Sequence, residues 1–183
     1  NRYLQENFIQ KYSKYKPEDL GDLIENYGLI KSAKFDLCIL GSAEKGFGYK
    51  KELHVWITQN DYQNANLMIL LAYILLGHPE WKKAQIKIFA VFPEENKKDQ
   101  KKHLLELIKE GRLPISPQNI QIFGYSDGAI KDTINKHSAD ADLTIMGLNS
   151  ISIKKNEESN LFEGYDNIGS VLFVSSMKEK TIE

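Results

Sequence analysis

The amino-acid sequence predicts an α/β protein with a mainly parallel sheet and helices on both of its faces. One observation is the alternation, after residue 50, of short strand-like runs with longer helix-like segments. A second is that the strand-like runs are apolar at consecutive positions, which is typical of strands covered on both faces. Strands that alternate with helices pair in parallel through right-handed crossovers, so we expect one sheet between two layers of helices.

The first 50 residues show a weaker pattern. Residues 3–15 are polar with scattered aromatic and aliphatic side chains, and they predict a weak helix. A second helix is predicted to begin near Pro17, because the fixed φ of proline suits a first turn, and to end near Gly28. Residues 35–41, with the sequence FDLCILG, predict a buried strand that ends at a glycine.

A polar loop punctuated by glycines, residues 41–51, is predicted to divide the chain into two units. Residues 1–50 are then the end of a preceding half-domain with its linker, and residues 51–183 form an α/β half-domain. A faint similarity between 35–41 and 143–147 also favours two related halves, since both strand-like runs end at glycine and an aspartate stands next to the start of each. The second unit has predicted strands at 53–58, 86–92, 120–125, 143–147 and 170–175, helices at 64–77, 98–111 and 129–137, and a polar flexible stretch at 149–159.

Composition excludes several classes of function. The net charge of −1 gives no electrostatic footprint for nucleic acid. The single cysteine, Cys38, excludes an internal disulfide and fits a reducing compartment. No apolar run reaches the roughly 20 residues that span a bilayer, and no signal-peptide pattern is present. Because the chain opens at Asn1 rather than at a methionine, we expect it to be a piece of a longer protein whose other parts could lie in a membrane.

The most unusual segment is the predicted helix at 64–77, because residues 67–76 (LMILLAYILL) are apolar around its whole circumference. A helix of this kind has to be buried on all sides. Two explanations stay open, which are burial within a large fold and an interface with a second subunit or domain. For the interface, the predicted contact residues are Leu67, Leu71, Ile74, Leu75 and Trp81.

Residues that could perform chemistry are dispersed along the chain. The four histidines lie on different predicted elements, and no second His, Cys or carboxylate stands at metal-site spacing beside any of them. A nucleophile-elbow motif is also missing from the sequence. The sequence therefore predicts no catalytic residue and no metal site, and a hydrolase would have to use unrecognised residues such as His54 or Asp127.

Three residues are candidates for binding a phosphate. Gly147 ends a predicted strand, while Gly169 and Ser170 precede another. Backbone N–H groups at such glycines can hold an anion. The alternative is that both glycines belong to ordinary turns at strand ends.

Two segments carry a family resemblance. The first is LHVWIT at 53–58, followed by the apolar helix and then by GHPEWKKAQIKIF at 77–89, and the second is SADADLTIMGL at 138–148. Together with the strands 35–41 and 171–174, they resemble the cytoplasmic C-terminal domain of cation–chloride cotransporters, the electroneutral symporters of sodium, potassium and chloride. The Ala-Asp-Leu and Met-Gly pattern of the second segment also occurs in universal stress proteins, whose α/β fold that domain resembles.

The resemblance implies a regulatory and dimerising domain with no cofactor and no chemistry of its own. Its partners would be the transmembrane domain of the same polypeptide and a second copy of the chain, with no contact to nucleic acid. Its location would be the cytoplasmic face of the cell membrane, which it would contact only through the parent protein. Since the family domain has two halves, only the end of the first half is represented in this chain.

The alternative is a stand-alone universal-stress-type protein that binds a nucleotide through Gly147, Gly169 and Ser170. In universal stress proteins, ATP lies over a Gly-x-x-Gly loop after the equivalent strand, with a Gly-Ser pair later in the chain. Residues 148–150, with the sequence LNS, supply no second glycine. The sequence therefore departs from the stress-protein pattern in the loop that would hold the phosphates.

Overall fold

A computed structural model describes residues 9–14, 21–110, 115–125, 130–148 and 161–178. The helices are α1 (Gly21–Ser32), α2 (Tyr62–Leu76), α3 (Lys97–Glu110) and α4 (Ile130–His137). From residue 35 onward, the described strands and helices begin and end within two residues of the predicted positions. The strands are β1 (Ile9–Ser13), β2 (Leu37–Ser42), β3 (Glu52–Thr58), β4 (Gln85–Pro93), β5 (Ile120–Tyr125), β6 (Leu143–Gly147) and β7 (Ser170–Ser175).

The described strands form one seven-stranded sheet in the order β1-β2-β7-β6-β3-β4-β5. Neighbouring strands are parallel except for β2 and β7, which are antiparallel. The predicted fold class, a mainly parallel α/β sheet, is confirmed.

Helices cover both faces of this sheet because the central strands are apolar on both faces. On one face, α2 and α3 pack over the side chains of Leu53, Val55 and Ile57 of β3. On the other face, α1, α4 and the segment 161–168 pack around Trp56 of β3 and its neighbours. Burial of these apolar side chains is the main source of stability, at about 25 cal/mol for each Å² removed from water.

The structure corrects two predictions in the first 50 residues. The weak helix predicted over 3–15 is wrong for residues 9–13, which form β1 and pair in parallel with β2. The ladder of backbone hydrogen bonds to β2 outweighs the local preference of this polar segment. Gly28 does not end its helix, since α1 continues to Ser32. The flexible stretch predicted at 149–159 lies outside the described residues.

A local two-fold arrangement relates the two ends of the described chain. The parallel pair β1–β2 meets the parallel pair β6–β7 through the antiparallel contact between β2 and β7. Matching backbone bonds extend the relation, since Lys14 N donates to Ser42 O at 3.0 Å and Leu148 N donates to Val174 O at 2.7 Å. This symmetry equates β2 with β7, and not with β6 as the sequence similarity had indicated. The division into half-domains at residue 50 stays a prediction.

Candidate functional site: the outer face of α2 and the ends of the strands

Helix α2 packs one of its faces against the rest of the described residues. Its inner face packs on the sheet, whereas Ile74 on the opposite side is 61% exposed. Leu67, Leu71 and Leu75 are only partly buried at the edge of the core. Among the residues that the structure describes, the expected burial on all sides is therefore not found, and the helix presents an apolar outer face. The buried residues of the inner face are Asn64, Ala65, Met68, Ile69 and Ala72.

Trp81 does not belong to this outer face. Its side chain is buried, and its ring makes an edge-to-face contact with Phe47 at a centroid distance of 5.8 Å. Pro79 begins a short 3-10 turn there, and the Nδ1 atom of His78 accepts a hydrogen bond from Glu80 N at 3.3 Å. The structure thus removes Trp81 from the predicted interface and gives His78 a local structural role.

The crevice at the carboxyl ends of β3 and β6 is where ligands commonly bind in parallel α/β folds. Asp61, just before α2, accepts hydrogen bonds at Oδ2 from the backbone N and the hydroxyl of Thr58, at 3.0 and 2.6 Å. Its carboxylate lies against Gly147, so close that a Cβ atom on Gly147 would be 1.9 Å from Asp61 Oδ1. A buried carboxylate therefore fills the position where a bound phosphate would approach Gly147.

Asn64 fills the other side of the same crevice. Its Oδ1 accepts a hydrogen bond from Ser176 N at 2.8 Å, and its Nδ2 donates to Leu148 O at 3.3 Å. The first turn of α2 thus bonds to the backbone that follows β6 and β7. Sequence reasoning missed Asp61 and Asn64, although two short polar residues between a strand and an apolar helix are the available signal.

The structure separates the three residues predicted to bind a phosphate. Gly147 pairs with Val174 and Ser170 pairs with Leu143, so Gly147 and Ser170 lie at opposite ends of the β6–β7 pair. Four residues of strand place them roughly 13 Å apart. Ser170 Oγ accepts a hydrogen bond from Ala43 N at 3.2 Å and donates one to Gly46 O at 2.6 Å. Gly147, Gly169 and Ser170 therefore do not form one phosphate site.

A buried lysine lies beside Gly169 instead. Lys14 Nζ donates to the carbonyl oxygens of Ile168 and Gly169. Burial lowers the pKa of Lys14 to about 8, with Lys45 acting in the same direction and Asp166 opposing it. This bond ties the chain after β1 to the segment before β7. This bond could not be predicted, because nothing in the sequence shows which distant carbonyl groups a lysine will meet.

His54 belongs to a buried polar network under the end of α4. Trp56 Nε1 donates to Ser138 Oγ at 2.7 Å, and the same oxygen lies 2.9 Å from His54 Nδ1. On its other side, His54 Nε2 lies 3.6 Å from Glu52 Oε2. Ser138, His54 and Glu52 contact one another in the same order as the Ser-His-Glu triad of some hydrolases. His54 and Ser138 are buried, however, so a substrate cannot reach them.

The remaining candidates for chemistry carry no catalytic geometry. Cys38 is buried, and burial together with the nearby Asp36 raises its pKa to about 12, so its thiolate is suppressed. Within the described ranges, no group of three His, Cys, Asp or Glu side chains could hold a metal ion. Asp127 lies outside the described residues.

The network around His54 predicts an acid sensitivity. Burial, followed by the nearby Lys87, lowers the pKa of His54 to about 4, against 6.5 for an exposed histidine. The unfolded chain therefore binds a proton more readily, and the stability that this neutral histidine contributes is complete above pH 6.5 and lost as the pH falls to 4. We expect up to about 3 kcal/mol of unfolding free energy to be lost over this window. Urea unfolding measured at several pH values checks this.

His54→Gln supplies the control for that measurement, because glutamine does not titrate. The unfolding free energy of this variant should fall less steeply than that of the parent chain between pH 6.5 and 4. Parallel curves for the two proteins would show that His54 is not the group responsible.

Comparison with known proteins bears on the fold. No sequence model of a protein family matches the chain, and no curated protein matches it. A cytoplasmic domain of a prokaryotic cation chloride cotransporter is similar in structure, with a TM-score of 0.64 and 16% identity over 99% of this chain and 70% of the other. At this identity the likeness shows the fold alone.

Universal stress proteins share the same architecture. One from Archaeoglobus fulgidus matches with a TM-score of 0.53 and 13% identity, over 94% of this chain and 60% of its own. A protein described as a universal stress protein from Pseudomonas aeruginosa matches with a TM-score of 0.51 and 18% identity, over 91% of this chain and 62% of its own. The fold is therefore universal-stress-protein-like, as predicted. Among the described residues, no helix is long and apolar enough to cross a membrane.

Proposed function

We propose that the chain belongs to a cytoplasmic regulatory and dimerisation domain of a secondary transporter of the cation–chloride cotransporter family. In this proposal the domain has no chemistry of its own, and its partners are the transmembrane part of the same polypeptide and a second copy of the chain. The structural likeness to the cotransporter domain and the two resembling sequence segments support it.

The outer face of α2 is the single observation that carries the assembly role. Four of its side chains are apolar and partly exposed to solvent. A helix face that met only water would be expected to carry polar residues instead. Contiguous apolar surface of this kind marks contacts between proteins. We assign the interface to Leu67, Leu71, Ile74 and Leu75, with Trp81 supporting the end of the helix from below.

The carboxyl-end crevice argues against the nucleotide-binding alternative. Asp61 places a buried negative charge against Gly147, where the stress-protein pattern would place phosphates. A phosphate there would meet carboxylate repulsion in a site of low dielectric, where charge interactions are strong. Ser170 is also bonded to the loop 43–51 at the other end of the strands.

Ile74→Asp tests the assembly role. Ile74 is 61% exposed, so the aspartate should leave the fold intact while placing a charge in the dimer contact. We expect the parent chain to have the mass of a dimer in light scattering, and the dissociation constant of the variant to rise at least tenfold, which is about 1.4 kcal/mol.

Leu29→Asp is the matched control, because Leu29 is 68% exposed on α1, on the opposite face of the sheet. It should leave the mass unchanged. A monomeric parent chain, or an equal effect of both substitutions, would contradict the assignment of the interface to α2.

A further inference from the structure

The amino ends of β3 and β4 carry a surface built from two segments, residues 43–51 and residues 77–84. Phe47 of the first packs edge-on against the buried Trp81 of the second. Lys50 Nζ of the first forms an ion pair with Glu80 Oε2 of the second at 2.7 Å. These contacts hold the two segments together as one surface.

Tyr49 stands at the exposed tip of this surface. Its side chain is 88% exposed, yet its backbone N donates to Asp142 Oδ1 at 2.8 Å, so the loop beneath it is anchored to the residue just before β6. The ammonium of Lys51 lies 5.7 Å from the centre of the tyrosine ring. The side chain of Tyr49 combines an apolar ring with a polar hydroxyl, which suits contact with a surface that is partly apolar and partly wet.

The charge around Tyr49 is positive. The two segments contain five lysines against two glutamates. Of the carboxylates at the same strand ends, Glu52 pairs with Lys87 and Asp142 accepts backbone N–H groups beneath the loop. One glutamate, Glu80, is already paired with Lys50. Of the carboxylates that the structure describes, none forms an ion pair with Lys51, Lys82 or Lys83, and all three lysines are exposed.

We propose that this surface, formed by Lys45, Tyr49, Lys51, Lys82 and Lys83 and here named the basic edge, docks on a bilayer rich in anionic phospholipid. Lysines near such a surface each contribute about 1 kcal/mol of attraction, and tyrosine is enriched at the level of the headgroups. The segments contain no arginine, whose planar fork would favour specific recognition of single phosphates. Compact lysine charges suit a diffuse anionic surface better.

This inference rests on the proposed function in one respect, since a cytoplasmic transporter domain lies next to the anionic inner leaflet. It adds that the domain itself contacts the lipid, and that the direction of the strands fixes how the domain is oriented on the membrane. The amino ends of β3 and β4 would then face the membrane, and the carboxyl-end crevice with Asp61 and Asn64 would face away from it.

Vesicle sedimentation with the whole chain tests the proposal. We expect the chain to sediment with vesicles that contain about one-third phosphatidylserine and not with neutral phosphatidylcholine vesicles, and the binding to weaken as salt rises. The triple variant Lys51→Glu, Lys82→Glu, Lys83→Glu should bind the anionic vesicles at least about tenfold more weakly.

A second triple variant, Lys98→Glu, Lys101→Glu, Lys109→Glu, changes the net charge equally on exposed positions of α3 and should lose much less binding. Equal loss in both variants, or no sedimentation of the parent chain, would overturn the proposal. Tyr49→Ser should also weaken binding to vesicles. If this variant binds the vesicles as tightly as the parent, Tyr49 takes no part in docking and that part of the proposal is overturned.

These outcomes are separable from a failure of the proposed assembly role. The substituted lysines are not residues of α2, so the mass in light scattering should not change. A chain that docks on anionic vesicles as a monomer would refute the dimer interface alone. A dimer that ignores anionic vesicles would refute the basic edge alone.

Discussion

Replacing Trp56 with alanine should lower the free energy of unfolding by roughly 3 to 5 kcal/mol, the range for removing a large buried aromatic side chain. Trp56 is 1% exposed, and its ring stacks on Phe89 at a centroid distance of 4.6 Å. The alanine would leave a cavity at the centre of β3, and Ser138 would lose the donor from the indole nitrogen. Urea unfolding followed by circular dichroism measures the effect.

Trp56→Phe separates the two parts of this loss. Phenylalanine keeps an aromatic ring that can stack on Phe89 but removes the hydrogen bond from Nε1 to Ser138 Oγ. We expect a loss of about 2 kcal/mol, from one buried hydrogen bond and a smaller ring. If the alanine variant loses no more than the phenylalanine variant, the core around Trp56 is not packed as described.

The regular part of the fold follows from local sequence signals. The strands at β3, β4, β5, β6 and β7 are apolar runs bounded by polar or glycine-containing turns, and the helices between them have a clear length and period. β1 could not be predicted, because its residues have no apolar run and become a strand only by pairing with β2. The antiparallel contact of β2 with β7 was also hidden, since strand order depends on packing far along the chain.

For the candidate sites, the sequence located the residues but not the direction in which they face. The all-apolar helix indicated an interface, which stays a prediction. Trp81 faces the core because the turn after α2 folds it back towards Phe47. Gly147 and Ser170 looked alike in sequence as glycine-associated strand ends. Only the parallel register of β6 and β7 shows that they lie at opposite ends of the pair.

The Asp-Ala-Asp-Leu segment that carried part of the family resemblance has a structural explanation in Asp142. Its Oδ1 accepts a hydrogen bond from Tyr49 N at 2.8 Å, and its Oδ2 accepts from Lys51 N and Glu52 N at 2.6 and 3.0 Å. Gly48 permits this approach, because it has a φ of +50° and a Cβ there would be 2.2 Å from Asp142 Oδ1. The buried carboxylate of Asp142 thus fixes the backbone that leads into β3.

Asp142→Ala should therefore lower the free energy of unfolding by roughly 3 to 5 kcal/mol, because three backbone N–H groups lose a charged acceptor at once and each such bond contributes about 1.5 to 3 kcal/mol, part of which water restores. Amide hydrogen exchange should speed up at Tyr49, Lys51 and Glu52, while exchange in β4 stays slow.

Asp142→Asn is the matched control, since its single carbonyl oxygen can still accept from Lys51 and Glu52 but not also from Tyr49. It should lose about half as much stability, and fast exchange should be confined to Tyr49. Unchanged exchange at all three amides in Asp142→Ala would show that the loop is held by the Phe47–Trp81 contact and not by Asp142.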